Sequence, residues 1–292
     1  MRCDSVRSPR RPNPDRHRDA KARRWILPLT GALLLASVAV ASAHDMFVKP
    51  AQFFAAENTD VLVRVLNGTF SKSENSIART RVADVSVVAA GKRTRLDTAA
   101  WGVTGDTSTF QVRTGTAGTY VLGASTRPNI IPLTAAEFNS YLKDDGIPDV
   151  LDARRRSGEL EHPAKERYSK HVKAFLQVGA TRTDDYSTAL GYPAELIPIS
   201  NPYSLRVGQT LRVRTLVDGA PAANQYVLYG GRTLEEGRIE QRSVRSDSTG
   251  VASIPIRARG TWYVKFINMA RLTGDTAAGY ESKWATITFQ VR

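Results

Sequence analysis

Period-two alternation governs the last hundred residues of this chain. Leu211, Val213, Thr215 and Val217 occupy every second position, as do Ala252, Ile254 and Ile256, then Trp262, Val264 and Phe266, and finally Ala285, Ile287, Phe289 and Val291. Successive side chains of a strand point to opposite faces, so each run can bury one face and wet the other. Asp218-Gly219-Ala220-Pro221 and Asp247-Ser248-Thr249-Gly250 separate the runs with turn residues. About seven short strands in such a length predict an immunoglobulin-like sandwich.

The first half carries the same pattern. Val61 to Leu66 ends at Asn67-Gly68, and Val82 to Ala90 ends at Gly91-Lys92. Phe110 to Arg113 and Thr119 to Ala124 continue it, with Gly115 and Gly118 between them. Between the two β-rich halves the period changes. Thr134-Ala135-Ala136-Glu137 is a capping box that opens a helix through Lys143. Asp149 caps a second helix towards Arg156. A third is expected over 163–176, where Tyr168, His171, Val172 and Phe175 fall at i, i+3, i+4 and i+7 and Glu166 pairs with Lys170. Gly179 stops it. The expected fold is mainly β: two immunoglobulin-like antiparallel β-sandwich domains, 44–130 and 195–292, with a helical insert and linker over 131–194.

Residues 1–43 read as an address. A strongly basic segment precedes an apolar run from Trp25 to Ala41, and Ala41-Ser42-Ala43 is a small-x-small cleavage site. That order marks a secretory signal peptide, with an uncleaved membrane anchor as the alternative. The expected location is periplasmic or extracellular. Removing the nine basic and three acidic residues of 1–43 lowers the formal charge from +13 to +7. The excess that remains is scattered, with one short run at Arg154-Arg155-Arg156, so it reads as a solvated surface with at most peripheral contact to anionic lipid, not as a nucleic-acid footprint. Cys3, the only cysteine, lies in the leader. The exported chain then has no disulfide, no thiolate metal site and no cysteine nucleophile.

Cleavage after Ala43 would make His44 the first residue. A free N-terminal histidine has a capability that an internal one lacks: its α-amine and imidazole Nδ1 close a six-membered chelate ring on one metal ion. Both groups shed protons near neutral pH when a metal competes. Nitrogen donors suit Ni, Co, Cu or Zn. Asp45 could add an oxygen, and His162 and His171 are the histidines left to complete a site. The plainer readings are a loop residue for His162, before Pro163, and a buried, hydrogen-bonded histidine for His171.

Other chemistries find little support. Asp144-Asp145-Gly146 resembles a calcium loop, but placing Gly146 at the sixth position puts Tyr141 and Lys143 where ligands belong. Asp184-Asp185 reads as a polar loop. Trp101, Trp262, Tyr263 and Trp284 could form a sugar platform, yet the strand positions of Trp262 and Trp284 favour core packing. There is no Gly-x-Ser-x-Gly elbow and no phosphate-binding glycine loop ahead of a helix.

The landmarks fall in a familiar order: His44-Asp45-Met46-Phe47-Val48-Lys49-Pro50, then Glu166 to Ala174 leading to Gly179, then Pro193-Ala194-Glu195-Leu196-Ile197-Pro198 and Asn201-Pro202-Tyr203, and last Glu281 to Phe289. Together they resemble the DUF4198 family of bacterial exported proteins, over nearly the whole chain after residue 43. The resemblance implies a mature His-Asp N-terminus and a link to nickel and cobalt uptake beside a membrane transporter. The family often carries histidines near Asn268 and Lys283, where this chain has an amide and an ammonium. The function expected is a non-enzymatic, metal-binding accessory protein with nickel or cobalt as cargo. The alternatives are a structural or interaction module without metal, and a histidine-brace copper enzyme. Nothing in the sequence sets the oligomeric state.

Overall fold

The backbone path follows from which strands are buried on one face and which on two. A computed structural model describes residues 44–292. The signal peptide expected over 1–43 lies outside the described residues. The first half supplies β1 (Asp45–Pro50), β2 (Phe54–Ala55), β3 (Asp60–Gly68), β4 (Val82–Ala89), β5 (Lys92–Arg95), β6 (Gly102–Thr104), β7 (Thr107–Arg113), β8 (Gly118–Thr126) and β9 (Asn129–Leu133). Helices α1 (Ala135–Asp144) and α2 (Pro148–Arg156) follow. The rest is β10 (Ala164–Val178), β11 (Ala194–Pro198), β12 (Thr210–Val217), β13 (Ala220–Pro221), β14 (Tyr226–Thr233), β15 (Arg238–Arg245), β16 (Val251–Pro255), β17 (Gly260–Arg271) and β18 (Tyr280–Val291). The protein is mainly β, with several sheets that are largely antiparallel.

One ten-stranded sheet runs β15-β14-β17-β18-β10-β8-β4-β5, with β2 and β9 also paired to β10. Two four-stranded sheets flank it. One is β1-β3-β7-β6; the other joins β11, β12 and β13, with β16 on β12. The side chains show which face each covers. Val172, Ala174 and Leu176 of β10 pack with Met46, Val63 and Phe110 of the first small sheet. Phe175, one residue out of phase, packs with Leu196, Val213 and Ile254 of the second. The large sheet is therefore the middle of three layers, and β10 feeds both cores.

The helix expected over 163–176 is a correction: those residues lie in β10. The strand pairs in parallel with β18, from Glu166↔Tyr280 to Ala174↔Thr288, and antiparallel with β8 and β9. A strand buried on both faces shows no alternation, and this one has buried cations in it, so helical spacing arose by coincidence. Its interior charges are satisfied by partners in the same sheet and in the layers beside it. Glu166 accepts from the hydroxyls of Tyr141 and Ser282, and Lys173 donates to Glu195 Oε2 at 2.8 Å. The same strand, inside the 131–194 segment, is in register with strands from both flanking segments.

The capping box formed as expected. Thr134 accepts from the Glu137 N–H while the Glu137 carboxylate accepts from the Thr134 N–H at 2.8 Å. Both helices join a third core, with Phe138, Leu142 and Ile147 against Ile267, Tyr280 and Trp284. Trp101, Trp262 and Trp284 are buried, as core packing required. No helix among the described residues is long and apolar enough to cross a membrane.

Candidate metal site at His44

The Asn67-Gly68 pair, a turn signal in the sequence, builds the floor of the site instead. β3 continues through both residues and pairs Gly68 with Asp45 at the start of β1. The chain then folds straight back. Ser73 bridges to Gly68, the Glu74 N–H donates to the Asn67 carbonyl at 2.9 Å, and Ser73 Oγ donates to the Asp106 carbonyl at 2.7 Å. A Cβ on Gly68 would lie 2.6 Å from the Lys72 carbonyl oxygen, so only glycine allows so tight a return. The fold-back brings Glu74 to His44. Nδ1 of His44 lies 3.1 Å from Glu74 Oε2, and its Nε2 lies 3.2 Å from the Asn75 amide nitrogen. The amide can only donate, which places the imidazole proton on Nδ1.

Two buried lysines brace the start of β1, one through the His44 carbonyl and one through the Asp45 carboxylate. Lys170 donates to the His44 carbonyl and to Asn67 Oδ1, with its ammonium 5.1 Å from the Trp284 ring centroid. Burial pulls its pKa down, against the pull of Tyr168, Asp45 and Asp145. Lys265 sits between Asp45 Oδ2 and Asp145 Oδ1, the latter at 3.1 Å. Burial works against its charge, but the two carboxylates outweigh it and hold it above the usual lysine range. Burial pushes Asp145 up to about 6, with Lys265 opposing and Asp45 adding. The second oxygen of Asp45, Oδ1, is buried with no hydrogen-bond partner.

His44, Asp45, Gly68, Glu74 and Asp145 line an open pocket of about 580 Å³. Four carboxylates, Asp45, Glu74, Asp144 and Asp145, share it with Arg232 and Arg238. Of the four residues that the sequence proposed for metal, the structure brings His44 and Asp45 together here. His162 and His171 do not line the pocket. His162 is exposed before β10, its N–H donating to the Glu159 carbonyl at 3.0 Å. His171 is buried, with Nδ1 2.8 Å from Ser125 Oγ and Nε2 3.0 Å from Ser169 Oγ. Burial lowers its pKa to about 4, with Glu195 opposing and Lys283 assisting. Both its nitrogens are occupied. Sequence reasoning missed Glu74, Lys170 and Lys265. Glu74 sits in a polar loop with no distinguishing pattern, and Lys170 read as the outer face of a helix.

Among the described residues, no three His, Cys, Asp or Glu side chains are arranged to hold a metal ion. The donor set at the pocket is one imidazole, the Glu74 carboxylate and the unpartnered Asp45 oxygen. A freed α-amine on His44 would supply another nitrogen. Nitrogen and oxygen donors are the types that borderline divalent ions take, but these side chains do not converge into a three-ligand group.

The model of DUF4198, a domain of unknown function, matches residues 41–270. The chain belongs to the DUF4198 family. No curated protein matches it. This DUF4198 protein shows 12% identity to a DUF4785 family protein from Legionella pneumophila, covering 75% of this chain and 51% of that one at a TM-score of 0.24. It therefore spans about half the length of that protein. Murine CEACAM1b matches at 10% identity, over 85% of this chain and all of that one, with a TM-score of 0.20. Trypsin-activated alpha-2-macroglobulin from Escherichia coli matches at 11%, over 87% of this chain and 16% of that one, with a TM-score of 0.22. In this DUF4198 protein Asn268 and Lys283 face each other across β17 and β18. Asn268 donates to Gln225 Oε1 at 3.2 Å and Lys283 pairs with Asp218 at 2.6 Å. Neither supplies an imidazole ligand, as the amide and ammonium at these positions already implied.

Proposed function

We propose that this protein is an exported accessory protein that binds a transition-metal ion, nickel or cobalt, in support of uptake by a membrane transporter. The architecture reads as two immunoglobulin-like halves fused through the shared sheet. The observation that carries the functional reading is the meeting of His44 Nδ1 with Glu74 at 3.1 Å in a pocket with three further carboxylates. Nδ1 is the nitrogen that closes the chelate with the amine. Once the amine is freed and the imidazole proton displaced, the ion would be held by His44 and Glu74, with Asp45 lining the same pocket. Nickel or cobalt is the cargo, and no reaction is assigned. A histidine-brace copper enzyme would need a second histidine here, and His162 and His171 lie elsewhere. The reading without metal, a structural or interaction module, draws on Asp45 being committed to Lys265.

Glu74→Gln tests the assignment. The side chain is 40% exposed, so the amide leaves the fold intact while removing an anionic ligand. Nickel affinity near neutral pH, read by calorimetry on the protein beginning at His44, should fall by about tenfold. Unchanged affinity would remove Glu74 from the site.

A further inference from the structure

A second cleft, of about 790 Å³, opens on the other side of the 69–74 loop and shares only Ser71 with the His44 pocket. Its lining holds four basic side chains, Lys49, Arg64, Lys72 and Arg292, against two acidic ones, Asp106 and Glu236. Lys49 and Arg64 are direct cross-strand partners in the β1–β3 register. Directly opposed residues project to the same face, so two like charges are set side by side, an arrangement that destabilises a sheet. Among the described residues neither forms a salt bridge, and the carboxylate that acts on Lys49 is Glu236 of the same cleft. Lys49 donates to the Phe70 carbonyl at 3.0 Å and lies 4.3 Å from that ring. Among the described residues, the side chains of Arg64 and Lys72 make no hydrogen bond or ion pair with the rest of the protein. Arg292 stacks on Phe54, 3.4 Å from the ring centroid, and forms no side-chain salt bridge among the described residues. Burial lowers the pKa of Lys49; Glu236 opposes this, and Arg232 and Arg64 add to it.

The geometry points to this cleft as a binding site for a small polyvalent oxyanion, one bearing two or more carboxylate or phosphate groups. Lys49 and Arg64 would take one group, since an anion between them removes their repulsion. Lys72 and Arg292 are placed for a second. Arginine offers a forked pair of donors that matches either kind of oxyanion. A monovalent anion would satisfy one pair and leave the other. The cleft is open enough for a free solute, which is the ligand proposed; binding to a phospholipid surface alone is the competing outcome that the experiment distinguishes.

The probes are citrate, pyrophosphate and acetate, titrated by calorimetry at low ionic strength into the exported protein after passage over a chelating resin, which excludes binding through a metal ion. A parallel arm measures co-sedimentation with phosphatidylglycerol vesicles. The expected result is saturable one-to-one binding of citrate or pyrophosphate, with acetate much weaker. The variant Arg64→Gln/Lys72→Gln should lose at least about tenfold in affinity. The charge-matched control Arg155→Gln/Arg156→Gln, on the exposed face of α2, should keep it. Circular dichroism checks that both variants remain folded, and Arg64→Lys should recover part of the affinity if charge is what matters. Equal losses in the two double variants would show diffuse attraction to a basic surface and overturn the proposal. Binding to vesicles with none to citrate or pyrophosphate would overturn it as well. Since the two pockets are lined by different ionisable residues, neither result bears on nickel binding at His44.

Discussion

His171 stays uncharged because its ring is buried between two serine hydroxyls, and the cost of charging it is what lowers its pKa to about 4. In the unfolded chain the ring titrates near 6.5. Between those values the unfolded state binds the extra proton. Its contribution to stability is thus complete above about pH 6.5 and is lost as the pH falls towards 4. Urea midpoints from pH 7 to 4.5 should fall steadily, and His171→Gln should fall less over the same window while starting lower. An identical slope in both would show that other groups set the acid sensitivity. The sequence allowed this residue either a ligand role or a core role, and its apolar neighbours Val172 and Phe175 supported the second. Glu74 had no such signal. It becomes significant only because Gly68 lets the loop fold back, a contact between residues that no periodicity links.

At the scale of elements, β10 explains both what was legible and what was not. A one-sided strand such as β12 announced itself by alternation, and the Thr134–Glu137 box announced α1. β10 is buried on both faces, so the rule that reveals a strand fails for it. Its lysines reinforced the error, because charged residues are ordinarily exposed. Lys173 is 2% exposed and is kept in the core by Glu195, whose carboxylate also accepts from the Leu190 and Tyr192 N–H groups, each at 2.9 Å. Burial alone would raise the Glu195 pKa; Lys173 and the two amides outweigh it. Glu195→Ala should cost about 3–5 kcal/mol by leaving a buried ammonium unpaired. Lys173→Met/Glu195→Gln should recover most of it, as the amide can still accept from the backbone. Chemical denaturation of the three proteins decides this. A loss of under about 1 kcal/mol in Glu195→Ala would mean that water reaches the lysine, contrary to its burial.

For the whole molecule, the chain's two β-rich halves meet in one sheet through β10 and β18, and the residues from 44 onward fall in a single compact unit. Sequence patterns gave the β class, since alternation is local. They could not show that the halves share a sheet, because strand pairing across more than a hundred residues leaves no local trace. The same long-range order puts His44 beside β3 and against the Lys170 ammonium, so the leader processing we propose would converge with assembly of the pocket on one residue. That convergence is the centre of the functional proposal. The direct measurement is calorimetric titration of nickel and cobalt into two forms of the protein, one beginning at His44 and one carrying a single additional residue before it. The account predicts saturable binding in the first form and its loss in the second, with identical thermal stability in the absence of metal. Equal affinity in the two forms, or no binding in either, would contradict it.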